Sequence, residues 1–320
     1  MGFYDVFNGD ADGLCALHQL RLVEPRDATP VTGTKRDIAL VRRVPVQPGD
    51  RITVCDISLE TNAPAVIAAL DAGATFEWFD HHRVGNVPPR PALVLHHDPS
   101  PTVCTSAIVD RHLGGVHRAW AVVGAFGDNL DETAASLART LDLDATSVAA
   151  LKRLGECLNY NAYGDSVDEL LVHPVELLRR MNGFARPADF AAAEPVFAQI
   201  DRAMQDDIVC AHALAPIDAD AAIACFELPD AAWSRRVSGA FANRLARANP
   251  RRAHAVLTPS GGAFTVSIRA PIAHPRGADR VAVLFENGGG REAAAGINGL
   301  PAADVPRLLK ELRRAFRPEG

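Results

Sequence analysis

At 320 residues the chain has room for two domains, and 48% apolar with 22% charged residues is a globular composition, not a disordered or fibrous one. No apolar run reaches the roughly 18 residues of a membrane span, no basic segment leads into an apolar one as in a secretory signal, and six scattered cysteines contain no C-x-x-C pair. A cytoplasmic protein with buried free thiols is expected, and the net charge of −6 conceals a split: residues 231–320 carry 15 Lys/Arg against 6 Asp/Glu, a balance of +9, leaving −15 on the rest.

Residues 3–7 read as a buried strand and 13–22 as a helix, with Leu14, Leu17 and Leu20 on a helical period. The turn between them, Asn8-Gly9-Asp10-Ala11-Asp12-Gly13, lies where α/β proteins place chemistry. Asp10 and Asp12 are two apart in a glycine-flanked turn, so both carboxylates can face one centre; an Asx turn with Asp12 as a helix N-cap is the plainer alternative. A second strand, 51–55, ends in Asp56, and Ser58 or Thr61 caps a helix over 63–72. A third, 75–79, ends in Asp80-His81-His82. The alternation of strand and helix predicts a parallel sheet with helices on both faces. Three strand ends offering Asp10, Asp12, Asp56, His81 and His82 make an oxygen-rich pocket with imidazole, which suits a pair of Mn²⁺ or Mg²⁺ ions.

A short strand at 93–95 leads into His96-His97-Asp98, a competing triplet read as structural or peripheral because no second acidic loop partners it. Residues 102–113 read as a helix. The apolar run 120–126, helix or strand by periodicity, precedes Asp128, a further candidate ligand. Helical patterns follow at 131–158, 174–181 and 187–205. From about Asp206 a second domain is predicted in the order β-β-α-β-β-β-α, with strands at 208–214, 221–228, 253–257, 264–268 and 281–285 and helices at 233–248 and 301–316. Gly288, Gly289 and Gly290 form a glycine loop whose amides can make an anion nest, and Arg269 and Arg291 add forked donors for phosphate.

Taken together these residues resemble the DHH phosphoesterase superfamily, in its two-domain branch with a C-terminal DHHA1 domain, which includes RecJ-like exonucleases and small nanoRNA, adenosine bisphosphate and cyclic-dinucleotide-product hydrolases. Residues 8–13 are similar to the first motif, Asp56 to the second, Asp80-His81-His82 to the third and Asp128 to the fourth. Ser267-Ile268-Arg269 and residues 288–296 are similar to the motifs of the C-terminal domain. The resemblance implies an α/β fold: a parallel-sheet DHH catalytic domain at 1–185, a helical linker at 186–205 and a smaller mixed-sheet DHHA1 substrate-binding domain at 206–320. It implies a two-metal phosphodiesterase or phosphatase. Asp10 and Asp12 would hold one Mn²⁺ each, Asp56 would bridge, and His81 and Asp128 would complete the ligands of the second ion, with Mg²⁺ as the alternative metal. Asp80 and His82 would orient ligands or touch phosphate, and a metal-activated water would attack phosphorus in line. Asn8, Arg269, Gly288, Gly289, Gly290 and Arg291 would contact substrate, expected to be a short single-stranded oligonucleotide or nucleotide phosphate. No membrane partner is expected, and a homodimer is left open. The other readings are a pyrophosphatase or exopolyphosphatase, and a nucleotide-binding regulator with an impaired first metal site. Three positions depart from the pattern. Val6 replaces the histidine of small members, Asn8 the aspartate of RecJ-like members, and Arg291 the histidine of the C-terminal motif.

Overall fold

A computed structural model describes residues 1–317. Contacts divide the chain into two compact units, Met1–Asp201 and the residues from Arg202 onward.

The first unit opens with β1 (Phe3–Phe7), α1 (Ala11–Val23), β2 (Thr29–Val31), β3 (Arg51–Cys55), α2 (Leu59–Asp71), β4 (Thr75–Asp80) and β5 (Leu93–His97). The strands form one all-parallel sheet in the order β2-β1-β3-β4-β5. Alternation along the strands assigns the two faces. Val6, Ile52, Val54, Phe76 and Trp78 pack with Leu59, Val66, Ala69 and Leu70 of α2. Phe7, Cys55 and Phe79, one register step on, are fully buried as well. A sheet covered on both faces has continuous apolar strands, which is why periodicity alone identifies them so clearly.

Helices α3 (Thr105–His112), α4 (Arg118–Gly127), α5 (Asp131–Ala138), α6 (Ala145–Asn161), α7 (Pro174–Met181) and α8 (Pro187–Ala193) follow, and α9 (Pro195–His212) carries the chain across the unit boundary. The ambiguous run at 120–126 is helical, and the single helix expected over 131–158 is two, α5 and α6. Likewise 187–205 divides at Glu194 into α8 and α9.

The second unit contains β6 (Asp218–Ala219), β7 (Ile223–Glu227), α10 (Ala232–Ala248), β8 (Ala253–Ser260), β9 (Ala263–Arg269), α11 (Ala278–Ala282), β10 (Gly288–Gly290), β11 (Ala294–Leu300) and α12 (Val305–Ala315). Its six strands form a mixed sheet, β10-β11-β9-β8-β7-β6, in which β7 and β8 are the parallel pair. Two expected strands are absent: one is helical and the other is a helix end with a turn. Residues 208–214 fall largely within α9, because Val196, Ile200, Met204, Ile208 and Ala211 form one buried stripe while Val209 is 68% exposed. Residues 281–285 run from α11 into a turn, with Val283 and Leu284 exposed. The glycine triplet, expected as a loop, is the edge strand β10, paired antiparallel with β11.

Candidate metal centre

Register builds the site. Phe7 pairs with Cys55 and Cys55 with Phe79, so the next residues, Asn8, Asp56 and Asp80, stand in a row at the carboxyl edge of the sheet. The Asn8 amide donates to the Cys55 carbonyl at 3.2 Å and the Asp56 amide to Phe79 at 3.0 Å, extending the ladder into the site. Asp56 takes φ 61°, a left-handed conformation rare outside glycine, and Asn129, beside Asp128, takes φ 59°.

Asp10 is the N-cap of α1, the role that the alternative reading gave to Asp12: its Oδ1 accepts the amides of Asp12 and Gly13 at 3.0 Å each. Asp12 lies in the first turn of α1 and turns to α3, whose N-cap Cys104 makes no side-chain cap. Its two oxygens accept the Thr105 amide at 2.7 Å and the Ser106 amide at 2.8 Å, and Thr105 Oγ1 donates to Asp56 Oδ1 at 3.1 Å. Gly124 of α4 lets this helix end approach, since a Cβ there would strike Ser106 Oγ and meet Asp12 Oδ1 at 3.2 Å. Asp128 is the C-cap of α4.

His81 Nδ1–H donates to the Val103 carbonyl at 2.8 Å, which leaves Nε2 facing Asp56 Oδ1 at 3.5 Å. His82 Nδ1–H donates to Asp80 Oδ1 at 2.7 Å, and His97 braces the same turn by donating to the His82 carbonyl at 2.6 Å. Asp56, His81 and His82 each offer a ligand atom, all within 4.8 Å of one another. Carboxylate and imidazole form a donor set suited to Mn²⁺, Mg²⁺ or another divalent ion. Asp80 Oδ2 is buried and, among the described residues, has no hydrogen-bond partner.

Asp10 and Asp128 gather instead round a side chain that sequence reasoning missed. Lys35 Nζ donates to Asp10 Oδ2 at 2.5 Å and to Asn159 Oδ1 at 2.9 Å, and lies 3.6 Å from Asp128 Oδ1. The one signal available was scarcity: Lys35 is one of three lysines in a chain whose other basic residues are arginine.

Burial and neighbouring charge shift the titrating groups of the pocket in both directions. Burial, then the charges of Asp10 and Asp12, push the Asp56 carboxyl well above the usual range, and burial also raises Asp128. Burial would raise Asp10 too, but the Lys35 ammonium outweighs it and the carboxyl falls below its ordinary value. Burial lowers His81 and His82, yet the facing carboxylates prevail, Asp56 first for His81 and Asp80 first for His82. His81 is pushed up to about 10 and His82 to about 9. Lys35 loses to burial and gains more from Asp10, ending well above its usual value.

The triplet His96-His97-Asp98 does not converge. His96 donates to Glu77 at 3.3 Å, His97 to His82, and Asp98 pairs with Arg111 at 2.8 Å. Glu77, His96 and His112 do come together, with ligand atoms within 4.8 Å. Aromatic packing accounts for that group: His96 stacks on Phe79 at 4.3 Å and meets His112 edge-on at 4.5 Å.

In the second unit Arg269 ends β9, with Nε donating to Asn243 Oδ1 at 2.6 Å. Gly288, Gly289 and Gly290 occupy the edge strand, and Arg291, exposed, follows them.

No family model matches the chain, and no curated protein matches it in sequence. Solved structures do. Exonuclease RecJ bound to manganese superposes at TM-score 0.62 and 18% identity over 98% of this chain and 90% of that one. The chain has the fold of exonuclease RecJ. That fold recurs in RecJ from Thermus thermophilus in complex with Mn²⁺, at TM-score 0.63 and 18% identity over 98% of this chain, which spans 51% of the RecJ chain. It recurs end to end in the pGpG-specific phosphodiesterase PggH from Vibrio cholerae, at TM-score 0.54 and 13% identity over all of both chains. Among the described residues no helix is long and apolar enough to cross a membrane.

Proposed function

We propose that this chain hydrolyses phosphoester bonds of short oligonucleotides or nucleotide phosphates with the help of a divalent ion, Mn²⁺ by preference. The observation that carries the reading is the meeting of Asp56, His81 and His82 at the carboxyl edge of the sheet, with Asp10, Asp12 and Asp128 around them. Bound there, the ion supplies Lewis acidity, lowering the pKa of a water and polarising a phosphoryl oxygen. The protein supplies the frame. The Val103 carbonyl fixes the His81 tautomer, Asp80 aligns His82, and the α3 amides pin Asp12. His82, with its side chain 46% exposed against 17% for His81, is the open member of the three and the one placed to touch a phosphate oxygen. Arg269, Arg291 and the glycines of β10 contact the substrate's phosphates or nucleotide, consistent with the +9 balance of their segment. In this reading the first unit is the catalytic domain and the second the substrate domain.

The test is a screen of metal-stripped, Mn²⁺-reconstituted protein against dinucleotides, adenosine bisphosphate, cyclic dinucleotides and polyphosphate. Mononucleotide release from a dinucleotide, abolished in Asp56→Ala, is the expected result. Undiminished turnover in Asp56→Ala would sink the reading. Hydrolysis of polyphosphate alone would favour the exopolyphosphatase alternative, and tight nucleotide binding without turnover the regulator.

A further inference from the structure

The geometry points to Lys35 as a built-in cation that stands where the first metal ion of the family pattern would sit, so that the chain works with a single divalent ion. The inference rests on the phosphoesterase reading above and adds the number of ions and the residue that replaces one.

Three observations carry it. The first is position. Lys35 Nζ lies against Asp10 Oδ2 at 2.5 Å, on the carboxylate that the resemblance assigns to the first ion. An ammonium and a metal cannot occupy one point, and like charges at contact distance repel.

The second is anchoring that owes nothing to the carboxylates. The Lys35 amide donates to the Ala162 carbonyl at 2.8 Å, and Nζ donates to Asn159 and lies 5.8 Å from the Tyr163 ring. Gly9 permits the approach of this segment: a Cβ there would strike the Gly33 carbonyl, two residues before Lys35. The lysine is therefore held from the α6 side and does not merely drift to the nearest negative charge.

The third is what became of the missing ligand. Val6, where small relatives have a histidine, is fully buried in the apolar core beside α2. Asn8, where RecJ-like relatives have an aspartate, is 5% exposed and spends its amide inside the protein. Its Oδ1 accepts the Asp10 amide at 3.2 Å and its Nδ2 donates to the Lys35 carbonyl at 3.3 Å. The further ligand of that ion, a histidine in small relatives or an aspartate in RecJ-like ones, is absent at both positions, and Asn8 now holds the lysine segment.

A fixed ammonium does part of what an ion does. Lys35 offsets the charge of Asp10 and Asp128 and provides a positive centre for a phosphoryl oxygen. It cannot ionise a water, so that task stays at Asp56, His81 and His82. A one-ion site loses the symmetric clamp on attacking and leaving oxygens that two ions give.

The experiment is Mn²⁺ equilibrium dialysis with electron paramagnetic resonance on the full, metal-stripped chain. Wild type is expected to bind one Mn²⁺ with an uncoupled six-line spectrum. The double variant Asn8→Asp/Lys35→Ala is expected to bind two, with an exchange-coupled spectrum. Two coupled ions in wild type would overturn the inference while leaving the phosphoesterase reading intact. One ion in wild type and still one in the double variant would also overturn it, because the lysine would not be what excludes the second. No ion in wild type would overturn both. Lys35→Met, which keeps the apolar stem, serves if the double variant does not fold, and the wild-type count stands without any variant. A lysine that merely supported the fold would not change the stoichiometry.

Discussion

Asp56 holds φ 61° directly after a regular strand, a conformation that costs a residue with a Cβ about 1 kcal/mol. It is also 3% exposed and faces the carboxylates of Asp10 and Asp12. Replacement by glycine relieves both the backbone strain and the repulsion. Asp56→Gly is therefore expected to match or exceed wild-type stability in urea without metal, by up to about 1 kcal/mol, while Mn²⁺-dependent turnover disappears. A large loss of stability would show that Asp56 serves the fold. Asp80 acts one bond further back, through His82. Asp80→Asn should lower metal affinity or turnover by about 10- to 100-fold, read by Mn²⁺ titration and steady-state kinetics.

The imidazoles set a pH dependence at the same scale. With His81 pushed up to about 10 and His82 to about 9, both carry protons at neutral pH when no metal is bound. A metal ligand must be neutral, so binding releases protons and affinity climbs about tenfold per pH unit for each proton released. The sign for metal-free stability is opposite. Both folded values lie above the unfolded imidazole value, so this stabilisation is complete below the unfolded pKa and is lost as pH rises through about 9 to 10. Calorimetry in buffers of different ionisation heat measures the first effect, and melting in chelator across that pH range the second.

Among elements, the junction of α1, α3 and α4 decides how well the site is held. Asp12 caps α3 from another helix, and Gly124 makes room for it. Gly124→Ala forces Ser106 and the α3 end outward and should cost about 1–3 kcal/mol, measured by urea unfolding, with weaker metal binding because Thr105 no longer reaches Asp56. The same scale explains two errors of sequence reading. The β-branched residues around Ile208 and Val281 suggest strands, but the 3–4-residue spacing of buried positions from Val196 to Ala211 marks a helix once the window is long enough. At 281–285 the local composition contradicts the fold outright, with Val283 and Leu284 left exposed beside a five-residue helix. The glycine triplet gives no strand signal at all, since strand propensity is a property of side chains that pack on a pleated surface. It is a strand because β11 supplies a partner.

Across the molecule, charge divides as the proposed chemistry would use it, with a balance of −15 before residue 231 and +9 from there on. If Arg269 contacts a phosphate, its hydrogen bonds are worth about 1.5–3 kcal/mol. Arg269→Ala should then raise KM for a dinucleotide about 10- to 100-fold with kcat changed less, and that KM should grow with salt. A kcat loss at unchanged KM would move Arg269 out of substrate binding.

Local pattern alone determined the parallel sheet and the polar strand ends, because alternating strand and helix signals are carried by neighbouring residues; the register that sets Asn8, Asp56 and Asp80 in a row came from the pairing of strands distant in sequence. Tertiary structure alone decided what fills the centre. Lys35 meets Asp10 across 25 residues and Asn159 across 124, and its segment has no periodicity to announce it. The amides of Thr105 and Ser106, which hold Asp12, have no side-chain signature to read. Contacts between neighbours on a strand or helix leave a repeat in the sequence; a single contact between distant segments leaves none.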